Sequence, residues 1–236
     1  MKNYKWMTHL SFFIIVFTIL NLNSNQDSSD FIDYNNDVLL NDSIVYRFNH
    51  ADSIINFNSS KEECKELKID PVVNNKYKMY IRLGLGYCYI NIWQDDEKML
   101  NGTMIHWVTE IDCESRSRIR KYSVSYNLNQ NSINEIYDFV MESKVLNIPD
   151  QSSIFSWMQG EDGVTYTIES NVDSTYKYQS YWSPSAQKNV RAALEIEKFV
   201  SKVKQLSDYG ESIKTFYNGL PFDCFVRGMI VAVPSK

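Results

Sequence analysis

An alternation of apolar and polar residues, which begins at Tyr77, constrains this chain more than any other feature of its sequence. Along residues 77–89 the odd-numbered positions are apolar or aromatic, whereas the even-numbered positions include Arg82, Gly84 and Gly86. Side chains of a strand point alternately to opposite faces, so a period of two predicts a half-buried strand or a bent pair of strands. The two glycines are expected to permit a kink or a bulge.

Two further segments repeat this alternation and extend the expected sheet. Residues 103–111 and 118–128 both alternate apolar with polar side chains. The dipeptide Asn101-Gly102 is a strong signal for a hairpin turn, although a competing turn over residues 94–98, whose sequence is QDDEK, would shift the register. The pattern predicts an antiparallel meander of at least three strands.

The hydrophobic period changes to that of a helix in two later segments. Residues 133–141 carry an apolar stripe, and Ser132 precedes it as the start of a capping box. A second helix is expected to begin at Pro184, with Ser183 as its cap, and its broad apolar face continues to Leu206. Runs of strands interrupted by two amphipathic helices predict an α+β fold, in which a curved antiparallel sheet carries both helices on one face.

The first residues have the features of a secretory signal peptide. Lys2 and Lys5 supply a basic segment, and an apolar run follows from Leu10 to Leu22. The run is shorter than the roughly 20 residues of a spanning helix, and an uncleaved N-terminal anchor is the alternative. We therefore expect export to the periplasm, the cell surface or the medium, with membrane contact only if the segment is uncleaved.

Three parts of the chain are expected from these patterns. Residues 1–25 form the signal peptide or anchor, and residues 26–42, rich in Asn, Ser and Asp, form a disordered linker. Residues 43–236 are long enough for a single α+β domain with its own core.

The charge of the chain argues against nucleic acid as a partner. The formal net charge is −5, from 24 basic and 29 acidic residues. A phosphate backbone requires a basic footprint, and the one basic cluster, residues 114–121, is expected to be a solvated strand end or turn. The expected partner is therefore a protein or a glycan.

Four cysteines, Cys64, Cys88, Cys113 and Cys224, lie in the part of the chain that would be exported. An even number in an oxidising compartment favours two disulfides, and four buried free thiols are the alternative. The spacing lacks a C-x-x-C pair, which excludes the usual zinc pattern. If the Asn-Gly dipeptide forms the turn, Cys113 lies diagonal to Cys88, and one bulge would allow a bridge. The predicted pairs are Cys88 with Cys113 and Cys64 with Cys224.

The chain contains few residues of the kinds that known catalytic motifs require. Two histidines, His50 and His106, follow the signal segment, and the sequence has no metal-protease, serine-hydrolase or phosphate-loop motif. A Ser or Cys nucleophile served by either histidine stays open, because such groups meet in space and not in sequence. We predict no catalytic residue, no metal and no cofactor.

Carboxylates and tryptophans keep a glycan hydrolase open as an alternative. A carboxylate pair for glycoside hydrolysis could come from any two of Glu110, Asp112, Glu114, Asp162 and Glu169. A clustered, solvent-facing pair in a Trp-lined groove would favour such a hydrolase of glycan or cell-wall material. Scattered acids that cap turns would favour a binding protein instead.

One stretch, residues 160–184, combines acids, aromatic residues and a Gly turn. It contains Asp162-Gly163-x-x-Tyr166-x-Ile168-Glu169, then Tyr181-Trp182-Ser183-Pro184. This pattern resembles one in uncharacterised bacterial exported proteins, in which a D-G-x-x-[WY]-x-[IL]-E strand precedes a second strand, an aromatic residue with proline, and a helix. The resemblance covers residues 160–206 and implies a hairpin-helix unit. It brings no known activity, so no functional residue is carried over.

The residue types in this stretch nominate three ligand-binding candidates, Asp162, Glu169 and Trp182. The favoured function is that of a non-catalytic exported or envelope-associated protein, which binds a partner or ligand through the sheet face or a cleft beside the helices. A carboxylate-dependent hydrolase is one alternative. An inhibitor or immunity-type protein, which would fit the acidic charge, is another.

Overall fold

The computed structural model of the chain describes residues 36–41, 44–48, 51–72, 77–160, 162–173, 175–228 and 230–232. Within these residues the chain forms ten strands and four α-helices, and the α+β class is confirmed. The predicted signal peptide, residues 1–25, lies outside the described residues.

The elements have the following bounds. The strands are β1 (Asn36–Asn41), β2 (Ile44–Phe48), β3 (Met79–Leu85), β4 (Cys88–Gln94), β5 (Leu100–Ile111), β6 (Arg118–Asn127), β7 (Thr165–Val172), β8 (Thr175–Trp182), β9 (Phe225–Arg227) and β10 (Ile230–Ala232). The α-helices are α1 (Ala51–Leu67), α2 (Gln130–Glu142), α3 (Arg191–Leu206) and α4 (Tyr209–Asn218). Short 3-10 helices occupy Val145–Asn147, Gln151–Ser153 and Pro184–Ala186.

All ten strands belong to one sheet, whose order is β1-β2-β8-β7-β3-β4-β5, with β6 on the other edge of β5. β9 pairs with β5 at Thr109 and Glu110, beyond the end of β4, and β10 pairs with β9. Between described strands every pairing is antiparallel except that of β2 with β8. The sheet is therefore antiparallel as predicted through its centre, with one parallel pair near the β1 end.

The end of the predicted linker forms a strand. Residues 36–41 read NDVLLN and pair with β2, starting with Asn36 opposite Phe48. The linker prediction, residues 26–42, is wrong for this segment, because a short apolar run can join a sheet edge despite its polar neighbours. The preceding residues, 26–35, lie outside the described part of the chain.

One face of the sheet carries α2 and α3, as predicted. Ile81 of β3 and Ile90 of β4 meet Ile136 of α2 and Ile196 of α3 in one core, where each side chain is at most 1% exposed. Burying an aliphatic side chain of this size contributes about 1.5–3 kcal/mol. The two amphipathic helices are therefore held to the sheet mainly by their apolar stripes.

Both helices begin at residues other than those predicted. Asn129 caps α2, because its side chain accepts a hydrogen bond from the amide of Ser132 at 2.9 Å. Pro184 starts only a 3-10 turn, and α3 begins after it. Ser183 has a φ of 40° and uses its hydroxyl to accept a bond from the amide of Val164 at 3.2 Å, so it does not cap a helix.

Residues 59–68 have the sequence pattern of a short helix capped by Ser60, with Cys64 and Leu67 on one face. The structure forms a longer helix there, α1, which covers the opposite face of the sheet. Cys64 and Leu67 are both buried, as the pattern indicates, and Leu67 packs near Tyr89 of β4. The even-numbered positions of β3 therefore face a helix, and Arg82 is 0% exposed.

The predicted Asn101-Gly102 turn is wrong, since both residues lie inside β5. The competing turn forms instead, where the carboxylate of Asp95 accepts a hydrogen bond from the amide of Met99 at 2.8 Å. Gly102 has a packing role, because a Cβ there would stand only 2.9 Å from the side chain of Ile133 on α2. Glycine lets the helix approach the sheet at this point.

This register changes the disulfide pairing. Cys88 lies opposite His106, so Cys113 is farther along by roughly 20 Å and the predicted Cys88–Cys113 bond is wrong. Cys113 is bonded to Cys224, with a Cα–Cα distance of 5.4 Å, where β9 joins the end of β5. The predicted Cys64–Cys224 bond is therefore also wrong, and Cys64 and Cys88 are buried free thiols.

Candidate functional site

The structure does not gather the three predicted ligand-binding residues into one site. Asp162 is exposed beside Gly163, where a Cβ would lie 2.8 Å from the ring nitrogen of Trp182. Trp182 pairs with Thr165 at the start of β7. Glu169 stands four residues farther along that strand, roughly 13 Å away, and is 3% exposed beneath α1. Asp162 and Trp182 thus share the end of the hairpin, whereas Glu169 belongs to another region.

The other acids considered for hydrolysis serve local structure. Glu110 forms an ion pair with Arg120 at 2.7 Å. Asp112 caps the turn between β5 and β6 by accepting a hydrogen bond from the amide of Ser115 at 2.7 Å, which lowers the pKa of its carboxyl group. Glu114 is exposed in the same turn. Acids of this kind match the condition under which the sequence favours a binding protein.

His106 does meet a serine. The side chain is 1% exposed, and its Nε2 lies 2.8 Å from the hydroxyl of Ser212 on α4. The Ser212 hydroxyl has an acceptor in the carbonyl of Tyr209 at 3.1 Å, so it can donate there while Nε2–H donates to Ser212. The remaining nitrogen, Nδ1, has no hydrogen-bond partner among the described residues. When Nε2 carries the proton, the imidazole cannot accept the serine proton, and among the described residues no carboxylate bonds to Nδ1 to orient the ring.

The buried imidazole should make stability depend on pH. Burial, with the nearby positive charge of Arg227, lowers the pKa of His106 from 6.5 to about 4. The unfolded chain therefore binds more protons between these two values, so the stabilising contribution is complete above pH 6.5 and is lost as the pH falls to 4. The loss should reach about 3 kcal/mol.

Replacing His106 with phenylalanine should remove this component of the pH dependence. Urea denaturation at neutral pH and at about pH 4.5 gives the change in unfolding free energy between the two pH values, which should be smaller for the variant than for the wild type. Ser212→Ala keeps the imidazole, so this matched control should show the same change as the wild type. An equal change for His106→Phe and the wild type would contradict the assignment.

A groove of about 740 Å³ lies between α1 and the sheet. Its lining combines acidic, aromatic and hydroxyl side chains with one lysine: Asn58, Ser60, Glu62, Glu63, Glu66, Tyr89, Lys121, Thr165, Thr167 and Tyr178. Three carboxylates and one ammonium group give this lining a net charge of −2. The groove is open to solvent and charged at its rim, and we take it as the candidate binding site.

Gly84 provides the space for the groove floor. It pairs with Tyr89 on one side and Thr167 on the other, and both of these residues line the groove. A Cβ on Gly84 would lie 2.1 Å from the Thr167 hydroxyl and 3.3 Å from the Tyr89 ring. Of the two glycines expected to permit a kink, Gly86 lies in the turn after β3 and has a φ of 81°, whereas Gly84 lies within the strand. The strand glycine therefore marks the site rather than a bend.

Lys121 connects the wall of the groove to α1. Its ammonium group lies 2.7 Å from Glu63 and 2.9 Å from Glu66. Burial alone would lower the pKa of Lys121, but the hydrogen bonds and charges of the two glutamates outweigh it and raise the pKa. The Tyr89 hydroxyl also donates to Glu63. These contacts hold the acidic wall in one orientation.

Glu169 stands behind the groove and receives hydroxyl donors from two elements. Ser60 of α1 donates to one carboxylate oxygen at 2.8 Å, and Tyr176 of β8 donates to the other at 2.9 Å. Ser60 is thus inside α1 rather than at its start, where the sequence placed a cap. The buried carboxylate ties the helix to the hairpin.

Arg82 is the cross-strand neighbour of Glu169 and organises the interior beside it. Its guanidinium donates to Asn91 at 2.7 Å, to the carbonyl of Asp70 at 2.7 Å and to the sulfur of Cys64 at 2.8 Å. Burial is the largest single influence and disfavours the charged guanidinium, but interactions with Glu169 first, and then with Tyr80, Cys64 and Tyr89, together outweigh it and raise the pKa of Arg82. Burial raises the pKa of the Cys64 thiol to about 11, so it is protonated near neutral pH.

Sequence reasoning found Glu169 but missed the rest of this region. Arg82 was placed only on the even-numbered side of a strand expected to be half-buried, with no role assigned, and the glutamates of α1 lay in the short segment SSKEECKELK. A signal was present in the spacing of Glu62, Glu63 and Glu66, which lie on adjacent turns of one helix. The sequence did not show which sheet face that helix would cover.

Comparisons with known proteins do not assign the chain to a family. No protein-family model and no curated protein matches it. Among the described residues, no three His, Cys, Asp or Glu side chains group as a metal site would require. None of the helices described here has both the length and the apolar character needed to cross a membrane.

Proposed function

We propose that this protein is a non-catalytic binding module that acts outside the cytoplasm, and that the groove beside α1 binds a positively charged organic group. Primary ammonium and guanidinium groups of a protein partner are the expected ligands. The observation that carries the proposal is the groove lining, in which three glutamates and two tyrosines accompany one lysine.

The chemistry of the lining favours a cation. Carboxylates accept charge-assisted hydrogen bonds from ammonium and guanidinium groups, and tyrosine faces add attraction to a cation. Lys121 already uses Glu63 and Glu66. Within the described part of the chain, Glu62 forms an ion pair only with Lys65, at the surface, where both side chains are about 70% exposed. An exposed pair of this kind exchanges readily with a ligand, since it contributes little energy.

Two observations support the remaining parts of the proposal. Of the acids considered for hydrolysis, Asp112 caps a turn, Glu110 forms an ion pair and Glu169 is buried. Glu114 and Asp162 are exposed in two separate turns, so the set fits binding better than hydrolysis. The Cys113–Cys224 disulfide fits an oxidising compartment, where such bonds persist. Together with the N-terminal apolar run, the disulfide supports export.

Agmatine, which carries both an ammonium and a guanidinium group, is a suitable probe. Titration into the isotope-labelled protein should shift amide resonances of α1, β4 and β7, and Glu62→Gln should weaken binding about fivefold, or ~1 kcal/mol. Glu135→Gln is the matched control, because Glu135 is also an exposed helix glutamate but lies on α2, across the sheet. Equal weakening by both variants, or shifts remote from α1, would contradict the proposal.

A further inference from the structure

β6 is an unusually long edge strand. It comprises ten residues and, among the described strands, pairs only with β5. The other outer strands of the sheet are shorter, with six residues in β1 and three in β10. Long exposed edges present rows of unpaired backbone groups, and most proteins shorten or obstruct them.

The alternation of hydrogen bonds between β5 and β6 shows which residues of β6 point their backbone N–H and C=O groups away from β5. The amide of Leu128 donates to the carbonyl of Gly102 at 3.1 Å, so even-numbered residues of β6 bond with β5. In an antiparallel ladder the intervening residues point the other way. Lys121, Ser123 and Ser125 therefore aim their N–H and C=O groups away from β5, and no described strand lies there to receive them.

The charges of β6 are already neutralised by its own chain. Arg118 pairs with Glu66 at 2.7 Å, Arg120 with Glu110 at 2.7 Å, and Lys121 with Glu63 at 2.7 Å. Basic residues normally protect an edge because they repel a second copy of the same strand. Here each cation has an acidic partner, so that protection is largely removed.

We propose that β6 is a homodimer interface, in which the strand pairs antiparallel with β6 of a second copy about a two-fold axis at Ser123. In this register Tyr122 faces the partner's Val124, and Arg120 faces the partner's Tyr126. An aromatic side chain opposite a β-branched one, and a cationic side chain opposite an aromatic one, are both favourable cross-strand pairs. A parallel pairing would instead place the basic residues of the two copies side by side.

The half-buried side chains of β6 fit this arrangement. Tyr122, Val124 and Tyr126 lie on the face that carries α4, where Tyr122 stacks with Phe216 and meets Phe222 edge to face. A second copy would continue the same apolar surface across the two-fold axis, because antiparallel pairing keeps equivalent faces together. Lys121 also lines the ligand-binding groove, but the inference depends on the outward backbone of β6 and on its opposite face, and it does not rest on the proposed function.

Ser125→Pro tests the interface. Proline removes an outward donor and blocks the edge, whereas it leaves the bonds with β5 in place. Sedimentation velocity over micromolar to submillimolar concentrations should show a monomer–dimer equilibrium for the wild type and a dissociation constant raised about tenfold or more for the variant. Ser125→Ala should behave as the wild type. A wild type that stays monomeric throughout this range would overturn the proposal.

A cysteine at the two-fold axis provides a second test that does not rely on the proline variant. Opposed residues of a hydrogen-bonded antiparallel pair have Cα atoms about 5.5 Å apart, which suits a disulfide. Ser123→Cys should therefore form a covalent dimer under mild oxidation. Ser156→Cys, in an exposed loop, is the control for random collision, and equal dimer yields from both variants would overturn the proposal.

Discussion

Replacing Arg82 with methionine should lower the free energy of unfolding by about 3–5 kcal/mol. Arg82 is 0% exposed and Glu169 is 3% exposed, so the substitution leaves a buried carboxylate without its cation. It also removes the donors that serve Asn91 and the carbonyl of Asp70. Urea denaturation at neutral pH, followed by circular dichroism, measures the loss.

The matched control is Arg191→Met. Arg191 also pairs with a glutamate, Glu195, but its side chain is 72% exposed, and a surface pair contributes roughly 0–1 kcal/mol. A small effect at both sites would contradict the assignment of Arg82 as a buried anchor of α1.

The double variant Arg82→Met/Glu169→Gln separates charge from packing. Glutamine keeps acceptor capacity for Ser60 and Tyr176 but removes the isolated charge, so the double variant should be more stable than Arg82→Met by about 1–3 kcal/mol. Strict additivity of the two single substitutions would mean that the two charges do not interact across β3 and β7.

Removing the Cys113–Cys224 disulfide should cost about 3–5 kcal/mol of unfolding free energy. The bond joins residues separated by 111 positions, and closing so long a loop removes much entropy from the unfolded chain. The double variant Cys113→Ala/Cys224→Ala, compared with the wild type by urea denaturation, measures this loss without exposure to reductant. An unchanged urea midpoint and an unchanged dependence of the unfolding free energy on urea would contradict the expected stabilisation by the disulfide.

Thiol counting provides the control for the pairing itself. Alkylation of the denatured protein followed by mass measurement should add two labels without reductant and four after reduction, because Cys64 and Cys88 are free. Four labels before reduction would show that the bond does not form. Cys88→Ala should leave the first count one lower and the disulfide intact.

The periods of the sequence identified the strands and helices but not their exact connections. The alternations from Tyr77 onward, the hairpin of β7 and β8, and the stripes of α2 and α3 were recognisable because each depends on near neighbours in the chain. The Asn101-Gly102 dipeptide misled for a specific reason. Its glycine is needed where α2 approaches β5, with Ile133 at 2.9 Å from a Cβ position, and local sequence cannot distinguish that role from a turn.

Candidate-site residues were harder to recognise. Glu169 was chosen for its residue type within residues 160–184, yet its partners come from α1 and β8. The alternation placed Arg82 on the even-numbered side of β3 but gave no sign that it would be buried beside Glu169. The first half of α1 has no clear apolar stripe, so its length and its position over the even-numbered residues of β3 could not be predicted. Asp162 and Trp182 remain predictions without a ligand site around them.

The sequence by itself determined the α+β class, the alternating strands and the two helices that cover one face, because near-neighbour periodicity dictates which side of an element is apolar. Only the tertiary structure decided the strand register, the partner of Cys113, the burial of Arg82 with Glu169 and the acidic groove beside α1. These features join residues that are far apart in the chain. They depend on how helices and strands pack, and such contacts leave no fixed spacing in the sequence.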